Sequence, residues 1–118
     1  MTDDRWSAVD RYVADLLVPR DPALDAALAA NASAALPAHD VSPVQGRMLE
    51  ILARTLRARR ILEIGTLGAY STIWLARALG PGGRLVTLER EARLRRLHAR
   101  ARQRMTSARE RADGIRTR

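Results

Sequence analysis

The chain contains no cysteine, no lysine and no phenylalanine, and two tryptophans and two tyrosines are its only aromatic residues. Without thiols it forms neither disulfides nor thiolate metal sites, which fits a reducing cytosol. Without lysine, no side-chain amine is on hand as a general base. So few aromatic rings imply an aliphatic core of Leu, Ile, Val and Ala, and an apolar fraction of 47% suffices to build one. Apolar runs stay well short of the ~20 residues that span a bilayer. Charges near the start argue against a secretory leader. The expectation is a cytoplasmic protein with no membrane contact, and 118 residues allow one domain at most, or part of one.

What is abundant is arginine. All 21 basic residues are Arg, and they are unevenly placed. Residues 1–46 carry three Arg against seven Asp, whereas residues 47–118 carry eighteen Arg against six acids. Residues 90–118 alone hold eleven Arg and three acids. Such a block can bind nucleic acid or another polyanion. It contains no aromatic ring on which bases could stack, so a solvated face is the preferred reading and nucleic acid is not the expected partner. His39 and His98 read as surface residues.

The apolar spacing divides the chain into an N-terminal helical segment (1–40), a β-α-β core (41–89) and an Arg-rich helical or disordered tail (90–118). Trp6, Val9, Val13, Leu16 and Leu17 recur at helical intervals up to Pro19. Asp21 before Pro22 reads as an N-cap followed by proline at the first helical position. The helix it opens carries Leu24, Leu28, Ala32 and Ala35–Leu36 on one face. Ser42 and Gln45 form a capping-box signature for a third helix, with Val44, Met48, Ile51, Leu52, Thr55 and Leu56 as its expected buried stripe.

The period then changes. Residues 60–64, RILEI, read as a buried strand, 70–79 as a helix with Ile73, Trp74 and Ala78 inward, and Gly80-Pro81-Gly82-Gly83 as a turn. Residues 84–89 read as a second, parallel strand. After Glu91, Leu94, Leu97, Ala101, Met105, Ala108 and Ala112 form a thin apolar stripe on a basic helix.

Ligands of open parallel sheets bind at the carboxyl ends of the strands, here Glu63-Ile64-Gly65 and Leu88-Glu89. Gly65 permits a sharp turn and close ligand approach. The following helix aims its N-terminal amides at the same space, which favours an anionic group, and Ser71 lies in its first turn. Glu89 is placed to accept hydrogen bonds from a ribose diol. The expected ligand is a nucleoside joined to a carboxylate or phosphate. The dinucleotide pattern G-x-G-x-x-G is not met, because Gly65-Thr66-Leu67-Gly68-Ala69-Tyr70 lacks its second and third glycines. Glu63-Ile64-Gly65 instead resembles the acid-x-Gly that opens this loop in methyltransferases using S-adenosylmethionine, a cofactor with an amino-acid carboxylate and no phosphate. On that resemblance S-adenosylmethionine is preferred to NAD. Simpler readings stand beside these: Gly65 and Gly68 serve only the turn, Glu63 pairs with Arg60 or Arg84, Glu89 is a solvated acid, and Ser71 caps its helix.

LEIGTLGAYST, the downstream GGRLVTLER and the upstream VSPVQGRMLEILAR together resemble the class I, cation-dependent O-methyltransferases, the family of catechol and caffeoyl-CoA O-methyltransferases. The likeness runs from about Trp6 to Glu89. It implies an α/β fold, the N-terminal part of a Rossmann-like methyltransferase. It further implies that Glu63, Gly65 and Thr66 line the methionine end of S-adenosylmethionine, that Ser71 holds its carboxylate, that Glu89 takes the ribose hydroxyls and that Val41 packs against it. Tyr70 matches the family's aromatic there, while Ala69 departs from the usual glycine. The acceptor implied is a hydroxyl-bearing small molecule.

The family's divalent cation is held on later strands, and the carboxylates for it are absent after Glu89, where Asp113 is the sole Asp. No catalytic residue is assigned, and independent turnover is not expected. The Arg-rich tail suggests a truncated gene or a shifted reading frame. The alternatives are a non-catalytic polyanion-binding module or a non-functional fragment. A two-strand sheet would leave edges open, which predicts marginal stability or pairing with a second copy through the first helices or a strand edge.

Overall fold

The computed structural model describes residues 2–94, 96, 98, 99, 102 and 115–117. Three helices lead into a β-α-β unit: α1 (Thr2–Leu17), α2 (Pro22–Ser33), α3 (Pro43–Thr55), β1 (Arg60–Ile64), α4 (Tyr70–Ala78) and β2 (Arg84–Leu88). A short 3-10 turn follows at Ala92–Leu94, and a last strand, β3, spans Ile115–Thr117. Residues 96, 98, 99 and 102 are helical. Of the expected apolar stripe in this region, Leu94 is buried, while Leu97, Ala101, Met105, Ala108 and Ala112 lie outside the described residues, as does Asp113.

Local chemistry sets the helix starts. Asp21 Oδ1 accepts from the N–H groups of Ala23 and Leu24 at 2.9 and 3.3 Å, with Pro22 at the first helical position. Asp21 also pairs with Arg77 of α4, tying α2 to the β-α-β unit. At α3, Ser42 Oγ accepts from Gln45 N–H while Gln45 Oε1 accepts from Ser42 N–H, the reciprocal box expected.

The sheet has order β1-β2-β3 and is parallel throughout. Its third strand, which pairs Leu85 with Ile115 and Thr87 with Thr117, was not read from the sequence. In place of the two-strand sheet anticipated, the described sheet has three strands. The core joins Leu24 and Ala27 of α2, Tyr70, Ile73 and Trp74 of α4, Leu79, and Leu85 of β2. On α2 the inward residues are Leu24, Ala27 and Asn31, and Ala32 is exposed.

Two expectations about burial are overturned. The stripe Met48, Ile51, Leu52 and Leu56 of α3 is exposed, and the helix instead buries Gly46, Glu50 and Ala53. The cause is Trp74, 1% exposed, whose indole lies across Gly46. A Cβ there would meet Trp74 Nε1 at 2.3 Å, so α3 docks on α4 through its smallest side chains. Glu50 is buried on that face with both carboxylate oxygens used, by Arg47 at 2.6 Å and Arg54 at 2.7 Å.

β1 is likewise covered on one side only. Side chains alternate along a strand, and Ile61 and Glu63 face α4 while Leu62 and Ile64 are exposed, Ile64 by 81%. A parallel strand is buried on both faces only when layers cover both. Trp6, Val9, Leu16 and Leu17 of α1 are exposed too.

Candidate functional site

β1 and β2 end side by side, with Ile64 opposite Leu88. Gly65 N–H continues the ladder to Leu88 O at 2.9 Å, and there the backbone turns at φ +92°. A side chain is disfavoured by that dihedral rather than by crowding, since a Cβ at Gly65 would meet none of the described residues within 4 Å. Among the described residues the turn therefore opens onto free space. Leu67 (φ +47°) and Ala69 (φ +68°) also adopt left-handed conformations, each unfavourable by about 1–2 kcal/mol outside glycine. Ala69 is the N-cap of α4 and has no side chain to cap it. Among the described residues the N–H groups of Tyr70 and Ser71 meet no acceptor.

Two carboxylates flank this loop. Glu63, 9% exposed, accepts from Ser71 Oγ at 2.6 Å and from Thr72 Oγ1 at 2.5 Å. It pairs with neither Arg60 nor Arg84, and among the described residues no cation contacts it. Glu89 reaches across from the end of β2. Its Oε2 accepts from the N–H groups of Thr66 (3.1 Å) and Leu67 (2.9 Å), and its Oε1 from Glu91 N–H (2.9 Å). Burial alone would raise its carboxyl. The amides of Glu91, Leu67, Thr66 and Arg90 outweigh that and hold it below the ordinary carboxylate value. Glu89 is thus an ionised acceptor aimed at the Gly65 bend.

Other residues expected at the site are placed differently. Thr66 turns its side chain under the loop, where its hydroxyl meets that of Thr87 at 2.6 Å. Only its backbone belongs to the loop rim. The Tyr70 side chain packs in the core, while its N–H lies at the start of α4 beside the loop. Burial raises its phenol, with a further push from the charges of Asp25 and Asp40, opposed by the neighbouring Trp74 N–H, which makes no well-formed hydrogen bond. Val41 is half-buried against the same core.

Thr72, Thr87 and His98 were missed. Thr72 follows Ser71 in the first turn of α4, and Thr87 shares the inward alternation of Leu85. His98, expected at the surface, is 6% exposed, with Nε2 2.9 Å from Leu67 O. Its spacing of four from Leu94 was the available clue. His39 is exposed, as expected.

A separate cavity of about 360 Å³ lies at the other end of the sheet, lined by Arg57, Arg59, Pro81 and Gly83. The carboxyl ends of α3 and α4 converge there, and their dipoles account for the arginines. Among the described residues there is no group of three His, Cys, Asp or Glu suited to a metal ion. Nor is any helix among them long and apolar enough to cross a membrane.

A turning glycine between two acid-bearing parallel strands is matched by what the chain resembles. The family described as O-methyltransferase matches residues 19–111. The chain belongs to the O-methyltransferase family. The match extends past Glu89 into the Arg-rich segment, so the family likeness takes in most of that segment as well. Curated relatives include a catechol O-methyltransferase of Mycobacterium tuberculosis (strain ATCC 25618 / H37Rv), 59% identical over 69% of this chain and 37% of its own length. A second, from Niastella koreensis, is 52% identical over 75% of this chain and 40% of its own.

Among solved structures, the O-methyltransferase TomG from Streptomyces achromogenes, in complex with SAM, superposes with TM-score 0.85 at 48% identity, over 99% of this chain and 51% of that one. The Bacillus cereus O-methyltransferase in complex with SAH gives TM-score 0.75 at 50% identity, over 97% and 51%. The chain thus spans about two fifths to half the length of these relatives.

Proposed function

We infer that the loop between β1 and α4 binds S-adenosylmethionine for transfer of its methyl group to a hydroxyl of a small molecule. The observation that carries this reading is the pairing of a buried carboxylate with an uncapped helix start. Among the described residues Glu63 has only neutral hydroxyls for partners, so an ammonium group suits it. The free N–H groups at the start of α4 suit a carboxylate. Together they read an α-amino acid, which the methionine end of this cofactor is. When bound, the cofactor supplies an electrophilic methyl group on a sulfonium.

The chain's own groups bind and orient. An ammonium group arriving at Glu63 takes the place of the Ser71 hydroxyl, which is then free to donate to the ligand carboxylate. Gly65 leaves the space in which the ligand passes the bend. The backbone of Thr66 and Leu67 stays fixed by Glu89 Oε2, while a ribose diol donates on the Oε1 side, where Glu91 N–H now lies. Val41 contributes apolar packing nearby. The divalent cation implied by the family resemblance does not fit the described residues, which bring no three ligands together. The exposed apolar faces of α1 and α3 are where contact with a second copy is expected.

Calorimetric titration with S-adenosylhomocysteine tests the reading. Saturable binding is expected, and Glu89→Ala should weaken it by about 1.5–3 kcal/mol, the usual worth of a hydrogen bond to a charged group. Failure of the unaltered protein to bind would overturn the proposal.

A further inference from the structure

We propose that His98 is a positioning residue for the β1–α4 loop, locking the Leu67 peptide groups so that Glu89 and the loop amides face the ligand. The inference deepens the cofactor-binding reading above and rests on it. It starts from a conformational cost. Leu67 and Ala69 both sit at positive φ without being glycine, and such residues persist only where surrounding contacts over-determine them.

Among the described residues Leu67 makes two such contacts, both hydrogen bonds. Its N–H donates to Glu89 Oε2 at 2.9 Å, and its C=O lies 2.9 Å from His98 Nε2. A carbonyl only accepts, so His98 carries its proton on Nε2 and donates. The residue is gripped at both its polar ends, by two side chains that follow β2. His98 is 6% exposed, so water does not readily replace it.

The grip reaches the ligand indirectly. Glu89 Oε2 is shared between Thr66 N–H and Leu67 N–H. Without His98, the Leu67 carbonyl loses its donor and the left-handed turn loses one of its two restraints. As Leu67 relaxes, its N–H leaves Glu89, and the carboxylate no longer presents Oε1 in a single place. His98 touches neither reacting atoms nor cofactor in this scheme. It acts through Leu67 and Glu89.

The test compares His98→Leu, which removes the donor, with His98→Gln, whose side-chain amide restores an N–H at similar reach. Two quantities are read: affinity for S-adenosylhomocysteine, and hydrogen exchange at the Thr66 and Leu67 amides without ligand. His98→Leu should weaken binding roughly three- to ten-fold, the effect of one hydrogen bond, and accelerate exchange at those two amides. His98→Gln should recover both. The proposal is overturned if His98→Leu leaves affinity and exchange unchanged, or if folded His98→Gln behaves no better than His98→Leu. Should His98→Leu fail to fold, His98→Gln is compared with the unaltered protein, and fast exchange at Leu67 overturns the proposal. If the unaltered protein binds no S-adenosylhomocysteine, the cofactor reading fails while the exchange measurements still decide whether His98 restrains the loop.

Discussion

Replacing Gly46 with Ala sets two effects of similar size against each other. In a helix interior, Gly→Ala is worth about 1 kcal/mol of added stability from propensity alone. The same methyl group would enter the α3–α4 contact, 2.3 Å from Trp74 Nε1 and 2.4 Å from its Cδ1. Comfortable separations between such atoms are about 3.5–4.0 Å. The helices would have to part by more than an ångström, or the indole turn in a site where it is 1% exposed. Overpacking of this kind costs about 1–3 kcal/mol, so it exceeds the propensity gain. Gly46→Ala should therefore lower stability by up to about 2 kcal/mol in urea unfolding followed by circular dichroism. Shrinking the opposing side chain should reverse the sign, so that adding Gly46→Ala to Trp74→Leu costs nothing or helps. A single mutant as stable as the parent, or a double-mutant cycle without coupling, would refute the packing argument.

Further outcomes follow from the ionised groups and the uncovered surface. Glu89 is held below the ordinary carboxylate value, so its contribution is present above that value and lost as pH falls through the lowered one. Thermal melts should show Glu89→Gln destabilised at neutral pH and converging with the parent in acid. At the start of α2, Asp21→Ala should cost about 0.5–2 kcal/mol through the lost cap, plus the pairing with Arg77. Asp21→Asn, which keeps the cap, should lose less, and equal losses would contradict the cap as the larger part. On the open face of β1, Ile64→Thr should change stability by no more than about 0.5 kcal/mol, as exposed positions do, and reduce binding of an apolar dye. A loss typical of a core position would show that this face is covered in solution.

Along the chain, much was decided by neighbours in sequence. The cap at Asp21, the reciprocal bonds of Ser42 and Gln45, the strand–glycine–helix order around Gly65 and the Gly80–Gly83 turn all depend on residues within a few positions of each other. They are legible because short-range sterics and hydrogen bonds set them. Glu63 and Glu89 could be placed at strand ends for the same reason, and the family likeness reinforced that placement. What the tertiary structure decided is where each side chain turns. Helical spacing marks an apolar stripe on α3, but the Trp74 indole selects the opposite face, because close approach of two helices demands the absence of a side chain at Gly46. Alternation told which residues of β1 share a face, but not that Leu62 and Ile64 would be uncovered. Thr66 meeting Thr87, and His98 meeting Leu67, join positions 21 and 31 residues apart. No local pattern encodes such a contact, since it exists only once two parallel strands and the segment after them have been brought to one end of the sheet.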